Sequence, residues 1–136
     1  MNLHTLRWTL LASLALLASP SPVLADAGWT PPTVPVRVGE IPEMDACGGW
    51  GAIRDQRLIF VHAAPDDDAD TIDSLTGGTG VHLCAVSADG KWQGIVYPSA
   101  PDQDCGVTSA VDQEQDYAGP CRSGWVPVED VELLAG

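Results

Sequence analysis

The sequence has little positive charge and few aromatic residues apart from tryptophan. It contains six Lys and Arg residues against nineteen Asp and Glu residues, with only one Phe and two Tyr residues. A chain with this balance repels phosphate backbones and anionic headgroups, so we expect neither nucleic acid nor a membrane surface as its partner. A neutral or basic partner is compatible with the charge.

A hydrophobic run long enough to form a stable membrane anchor is also missing. The apolar stretch at residues 8–18 has eleven residues, whereas a helix that crosses a bilayer needs about 20. Arg7 precedes this stretch and Val23-Leu24-Ala25 follows it, which is the pattern of a signal peptide with a cleavage site. We therefore expect residues 1–25 to be a signal peptide, cleaved near Ala25, and the protein to be periplasmic or secreted.

The cysteines lack the C-x-x-C spacing of a zinc site. There are four, Cys47, Cys84, Cys105 and Cys121, and all of them follow the predicted cleavage site. An even number in an oxidising compartment indicates two disulfides, for which three connectivities exist. We expect Cys47 to pair with Cys84, tying the incoming segment to a strand, and Cys105 to pair with Cys121, closing a polar excursion of the chain.

Helical periodicity is absent, so β-strands dominate the prediction. Residues 26–45 form a Pro-rich arm expected to be extended, and residues 46–136 form one domain. Short apolar runs closed by Gly, Pro or Asp predict strands at residues 58–63, 72–75, 81–86, 91–97 and 121–128. Residues 48–53 read as a turn, 98–119 as a cross-linked loop, and 129–134 as one helical turn and a last strand.

Four short motifs occur in register along this domain. They are Val61-His62-Ala63-Ala64-Pro65, the segment 75–81 (LTGGTGV), the segment 90–95 (GKWQGI), and Gly124-Trp125-Val126 with a closing run at 131–134. Their order and spacing resemble the bacterial SH3 (SH3b) domain. The segments around the cysteines, 45–47, 104–107 and 119–126, resemble an exported, cysteine-containing subgroup of uncharacterised SH3-domain proteins. The chain departs from the family in its insertion at 98–120 and in His62, where Arg is common.

The resemblance implies an all-β fold, namely a small SH3-like antiparallel barrel with a disulfide-tied insertion and an N-terminal extended arm. Exported members of the family commonly serve as binding modules for cell-wall material or peptides, often beside a catalytic domain. Residues 46–136 contain no such second domain. We therefore expect a non-catalytic binding module whose ligand is a cell-wall fragment or a peptide.

The densest group of acids, residues 66–73 with five Asp, does not fit a calcium loop. It has no internal Gly and no closing Glu, both of which calcium loops use. His62 and His82 have no predictable nucleophile beside them, and disulfide-bonded cysteines offer no thiolate. We therefore expect no metal, no cofactor and no enzymatic activity, and we interpret the acids as a solvated loop.

The aromatic residues of the fourth predicted strand are the candidate ligand contacts. We expect Trp92 and Tyr97 to flank a groove beside the turn at 87–90, with Asp67 and Asp70 at its rim. Trp92 should be partly exposed and Trp125 at least half-buried. Aromatic walls supply stacking area, and rim acids favour amine-bearing ligands. The alternative is an acidic accessory or inhibitor protein whose partner is a basic protein.

Overall fold

A computed structural model describes residues 32–55 and 57–136. The predicted signal peptide and the arm up to residue 31 lie outside the described residues. The elements follow in the order β1 (Arg37–Val38), β2 (Gly49–Ile53), β3 (Leu58–His62), β4 (Thr71–Thr76), β5 (Gly80–Val86), β6 (Trp92–Tyr97), β7 (Gln115–Asp116), β8 (Arg122–Pro127), the 3-10 helix η1 (Val128–Asp130) and β9 (Val131–Ala135). Within this described part, no helix is long and apolar enough to cross a membrane.

The strands form two antiparallel sheets. β1 pairs with β7, and the other seven lie in the order β4-β3-β8-β6-β5-β2-β9. The all-β antiparallel class predicted from the sequence is confirmed. The predicted strands coincide with β3, β4, β5, β6 and β8 to within one or two residues, and η1 followed by β9 matches the predicted helical turn and last strand.

The larger sheet is not closed into a barrel, which corrects the shape expected from the resemblance. In the described residues β4 and β9 form its two edges and do not pair with each other. The sheet is nevertheless curled, because Leu75 of β4 and Val131 of β9 belong to the same buried cluster as Val61, Ile95 and Val126. Hydrophobic packing therefore brings the two edges to one core without a ladder between them.

Residues 48–53 were predicted as a turn, but Gly49–Ile53 form β2, an interior strand next to the edge strand β9, so this expectation was wrong. It pairs with β5 on one side and with β9 on the other. A Cβ at Gly51 would collide with the carbonyl oxygen of Glu132, so glycine permits the close approach of β9. Glycine-rich sequence predicts turns when the neighbouring strands are unknown, and here the same residues allow tight strand packing.

The arm and the insertion pack together as an outer layer. Their short strands β1 and β7 pair, and Arg37 bonds to Glu114 at 3.1 Å and to Asp116 at 2.8 Å. Val36 and Val38 on either side of Arg37 are fully buried. The outer face of the larger sheet is therefore covered by residues that the sequence suggested only as an extended arm and a loop.

Both predicted disulfides are confirmed. Cys47 is bonded to Cys84, and Cys105 to Cys121. All four cysteines belong to or pack against a second buried cluster, which includes Val96 and Val107. Because such bonds persist in oxidising compartments, the two disulfides indicate a non-cytoplasmic environment.

Candidate functional site

The two aromatic residues predicted to flank a groove are buried. Trp92 is 6% exposed and Tyr97 is 3% exposed, so the expected partial exposure of Trp92 was wrong. β6 lies between β5 and β8, and Trp92 packs with Val36 of the arm and with Trp125. Burial of Trp125 was correctly predicted. Trp92 does not form the wall of a groove because the arm covers the outer face of the sheet at this point.

Tyr97 holds β6 to β4 through the acid Asp73. Its hydroxyl donates a hydrogen bond to Asp73 Oδ2 at 2.9 Å, and Arg122 donates to the same oxygen at 3.0 Å. Burial opposes ionisation of Asp73, but hydrogen bonds from the Ser74 N–H, from Tyr97 and from Arg122 outweigh it and lower the pKa of the carboxyl. Burial, followed by the neighbouring carboxylate, raises the pKa of Tyr97 well above its ordinary value. This network links β4, β6 and β8, with Arg122 at its exposed end.

The predicted rim acids lie on a loop that contacts His62, the neighbour of Trp92. Asp67 and Asp70 are exposed on the loop between β3 and β4. That loop contacts His62, whose Nδ1 lies 3.3 Å from the carbonyl oxygen of Ala69, and the His62 ring packs edge-on against Trp92 with centroids 5.0 Å apart. The structure thus brings the acidic loop, His62 and Trp92 together.

The turn at 87–90 also joins this group, whereas Tyr97 does not. The backbone N–H of Trp92 donates to Ser87 Oγ at 3.0 Å, which fixes the turn against the beginning of β6. Tyr97 lies at the other end of that strand. The turn contacts Trp92 and the acidic loop contacts His62, but Trp92 itself is buried and forms no exposed wall between them.

A groove opens beside His62 because the ladder between β3 and β8 stops early. β3 pairs with β4 from end to end, but with β8 only through His62 and Trp125. The N–H of Ala63 points away from β8, to the β3–β4 loop. Backbone groups alternate in direction along a strand, so Phe60 and Leu58 point the same way as His62, toward β8.

Pro127 explains why the ladder ends. Two residues after Trp125, it occupies the next position on β8 that faces β3, and proline has no N–H to donate. The chain then leaves the ladder and enters η1. Leu58 and Phe60 consequently present their backbone groups to a groove rather than to a neighbouring strand.

This Pro127 groove has a volume of about 400 Å³. Its side chains are mostly apolar, and Leu58 and Phe60 are 60% and 53% exposed. The only opposite charges lining it, Arg57 and the buried Asp130, form an ion pair at 3.0 Å. The residues that line it are Arg57, Leu58, Ile59, Phe60, His62, Pro127 and Asp130. The groove is therefore apolar and close to electrically neutral, on a chain whose formal net charge is −13.

Sequence reasoning missed Leu58, Phe60 and Pro127 as surface residues. β3 alternates between exposed and buried positions, but its sequence is uniformly apolar from Leu58 to Val61, so the alternation is not visible. The available signal was Pro127 inside a predicted strand, because proline in a strand marks an edge or the end of a ladder.

In the part of the chain that the structure describes, no group of three or more His, Cys, Asp or Glu side chains is placed to hold a metal ion. All four cysteines are in disulfides, so none of them offers a thiolate. Comparison with known proteins gives no match to a family model, a curated protein or a solved structure. The proposal of function therefore rests on the Pro127 groove and on the charge of the chain.

Proposed function

We propose that this protein is an exported, non-catalytic SH3b-like binding module that holds an extended peptide segment in the Pro127 groove. The peptide segment belongs to cell-wall material or to another protein in the periplasm or outside the cell. The observation that carries the proposal is the open edge of β3 at Leu58 and Phe60, where two exposed apolar side chains accompany backbone groups without a ladder partner.

An open strand edge recognises extended peptides in a characteristic way. Main-chain hydrogen bonds to the edge supply affinity, and side chains at alternate positions of the peptide supply specificity. Three residues of open edge correspond to about 10 Å of strand, at about 3.3 Å per residue. A short peptide segment with an uncharged, apolar residue over Phe60 and Pro127 fits this surface.

The acidic loop adds a preference for basic peptide residues at one end of the groove. Asp67 and Asp70 are exposed on the loop that contacts His62, and His62 lines the groove. A basic residue just beyond the apolar segment would meet these carboxylates, while an acidic peptide would be repelled. Peptide stems of cell walls and basic protein segments both carry such amines.

The four motifs that carry the resemblance fall on strands of the larger sheet and on the turns between them. The β3–β4 hairpin, the β5–β6 hairpin, β8, η1 and β9 follow one another in the order in which the four motifs occur. The insertion lies between β6 and β8 and is tied by Cys105–Cys121. It packs with the arm and contributes no residue to the lining of the Pro127 groove.

Sedimentation of the mature protein with purified cell-wall sacculi, paired with a pull-down from a periplasmic extract, tests the proposal. Phe60→Ser removes an exposed apolar contact of the groove, and Leu134→Ser likewise replaces a large apolar side chain by serine at a comparably exposed residue on β9. We expect Phe60→Ser to reduce retention by roughly fivefold or more and Leu134→Ser to leave it unchanged. Equal effects of the two variants, or no retention of the unaltered protein, would contradict the proposal.

A second function is favoured by the exposed acids alone, namely an accessory or inhibitor protein for a basic partner. In that case the double variant Asp67→Asn and Asp70→Asn should release the partner, added salt should do the same, and Phe60→Ser should not. The same pull-down therefore separates the two functions.

A further inference from the structure

A second cavity lies between the turn that precedes β2, strand β5 and the insertion. Met44, Trp50, His82 and Pro98 form its apolar wall, and it has a volume of about 720 Å³. We call it the Trp50 cleft. It shares no lining residue with the Pro127 groove, so the two surfaces are independent.

Trp50 is held in place yet remains accessible. It pairs with His82 across β2 and β5, and the two rings meet edge-on with centroids 4.8 Å apart. The indole lies over Gly80, where any Cβ would collide with the ring. Despite these contacts Trp50 is 38% exposed, whereas Trp92 and Trp125 are buried. A fixed, half-exposed indole is a surface on which a ligand can stack at low entropic cost.

Three acids, Glu43, Asp45 and Asp102, stand around this wall, and no Lys or Arg lines the cleft. His82 does not offset them, because burial lowers its pKa below the ordinary value even though Asp104 acts in the opposite direction. Near neutral pH the charges lining the cleft are therefore negative. An indole face flanked by carboxylates attracts cations through both the ring quadrupole and the charges.

Two of these acids occupy unusual backbone conformations. Glu43 has φ 66° and Asp102 has φ 57°, and in the described residues no other non-glycine residue has positive φ. Glycine adopts this conformation without strain, so the chain carries acidic side chains at the two positions where glycine would fit better. Both side chains border the same cleft.

A neighbouring hollow extends the cleft past the indole. It has a volume of about 420 Å³, and it too is lined by Trp50 and Pro98. Its other residues are uncharged and include Thr79, Gly80 and Ser99. The surface as a whole thus has an acidic half and a neutral half, with Trp50 between them.

We propose that the Trp50 cleft binds an extended peptide through one lysine side chain. The alkyl chain lies on the Trp50 indole, the ammonium lies among Glu43, Asp45 and Asp102, and small uncharged residues next to the lysine occupy the neutral hollow. A second copy of this protein is a poor occupant, because two chains of formal net charge −13 repel each other.

A titration followed by NMR tests this proposal. The probe is the peptide Ala-Ser-Lys-Ala-Ala, acetylated and amidated, and its matched control has norleucine in place of Lys, which keeps the alkyl chain and removes the charge. We expect the lysine peptide to shift the Trp50 indole N–H signal and to bind roughly fivefold or more tightly than the control. Equal binding of the two peptides would overturn the proposal, as would butylamine binding as tightly as the lysine peptide.

Variants of single acids test which carboxylates contact the lysine ammonium. Asp102→Asn should weaken binding roughly twofold to fivefold, and Asp67→Asn, the same change on the distant β3–β4 loop, should have no effect. Trp50→Leu should weaken it roughly tenfold, with the backbone spectrum as the check of folding. Equal loss in Asp102→Asn and Asp67→Asn would show that only the overall charge attracts the peptide and would overturn the assignment. Phe60→Ser, which alters the Pro127 groove, should leave binding of the lysine peptide to the Trp50 cleft intact. The proposal for the cleft and the proposal for the groove can therefore fail independently of each other.

Discussion

The indole Nε1–H of Trp125 donates a hydrogen bond to the carbonyl oxygen of Val34 at 2.7 Å, joining residues 91 positions apart in the sequence. This contact fixes the arm over the outer face of β6 and β8. Val36, Ala85, Trp92 and Trp125 form one buried cluster beside it. Val36 and Val38 of the arm are therefore packed like core residues of the domain, whereas residues 32–35 and 40–45 remain exposed.

Replacement of Val36 tests this role of the arm. Val36→Ala should lower the free energy of unfolding by about 2 kcal/mol, because it removes two buried methyl groups and leaves a cavity. Val34→Ala is the matched control, since Val34 is 38% exposed and keeps its carbonyl acceptor. It should change stability by less than about 0.5 kcal/mol. Urea unfolding measures both, and equal losses would mean that the arm does not pack as described.

Trp92→Ala should destabilise the domain rather than weaken binding selectively. Truncation of a buried tryptophan costs about 3–5 kcal/mol, a large part of the stability of a domain this small. Trp92→Phe, which keeps most of the apolar volume, should cost much less and leave retention by sacculi unchanged. Thermal unfolding monitored by circular dichroism decides the matter. A Trp92→Ala protein that melts at the wild-type temperature would contradict the burial.

Asp73 makes stability depend on pH in the acid range. Its pKa in the folded protein lies below the ordinary value of 3.8, so its ionised form stabilises the fold at higher pH. This contribution is complete above about pH 5 and is lost as the pH falls through the folded pKa, below 3.8.

The Tyr97→Phe variant isolates one part of that contribution. It should cost about 1 kcal/mol at pH 7 by removing the hydroxyl that donates to Asp73. The cost should shrink as the pH is lowered below 3.8, where Asp73 becomes protonated. Urea unfolding at a series of pH values measures it, and a cost that grows on acidification would refute the assigned hydrogen bond.

Glycine at position 43 should be tolerated by the fold. The left-handed conformation of Glu43 costs a non-glycine residue about 1 kcal/mol or more, and relief of that strain offsets the extra entropy of the unfolded chain. Glu43→Gly should therefore leave stability unchanged or raise it by up to about 1 kcal/mol. Glu40→Gly, the same change at an exposed residue without positive φ, should lower stability by about 0.5–1 kcal/mol. If both variants lose stability equally, the strain at residue 43 is absent.

Amide hydrogen exchange examines the open edge of β3 directly. The N–H groups of Leu58 and Phe60 face the Pro127 groove, whereas those of Ile59 and Val61 face β4. We expect the first pair to exchange faster than the second, because ladder hydrogen bonds protect amides from solvent. Uniform protection along β3 would show that a partner within the chain already covers this edge.

The positions of most strands and both disulfides follow from the sequence. The predicted strands at 58–63, 81–86 and 91–97 end where Pro, Gly or Asp ends an apolar run, and these local signals do not depend on the rest of the chain. The pairing of Cys105 with Cys121 is likewise nearly local, with a separation of 16 residues.

Which side chains face solvent was decided by tertiary structure alone. Trp50 and Trp92 both lie in strands, yet the first is half-exposed over Gly80 and the second is covered by the arm. The Pro127 groove likewise depends on where β3 meets β8, more than sixty residues later in the chain. Hydrophobic runs and turn residues in the sequence indicate local conformation. Exposure of a strand residue depends instead on which distant element packs over the strand, and the sequence alone does not show which element that is.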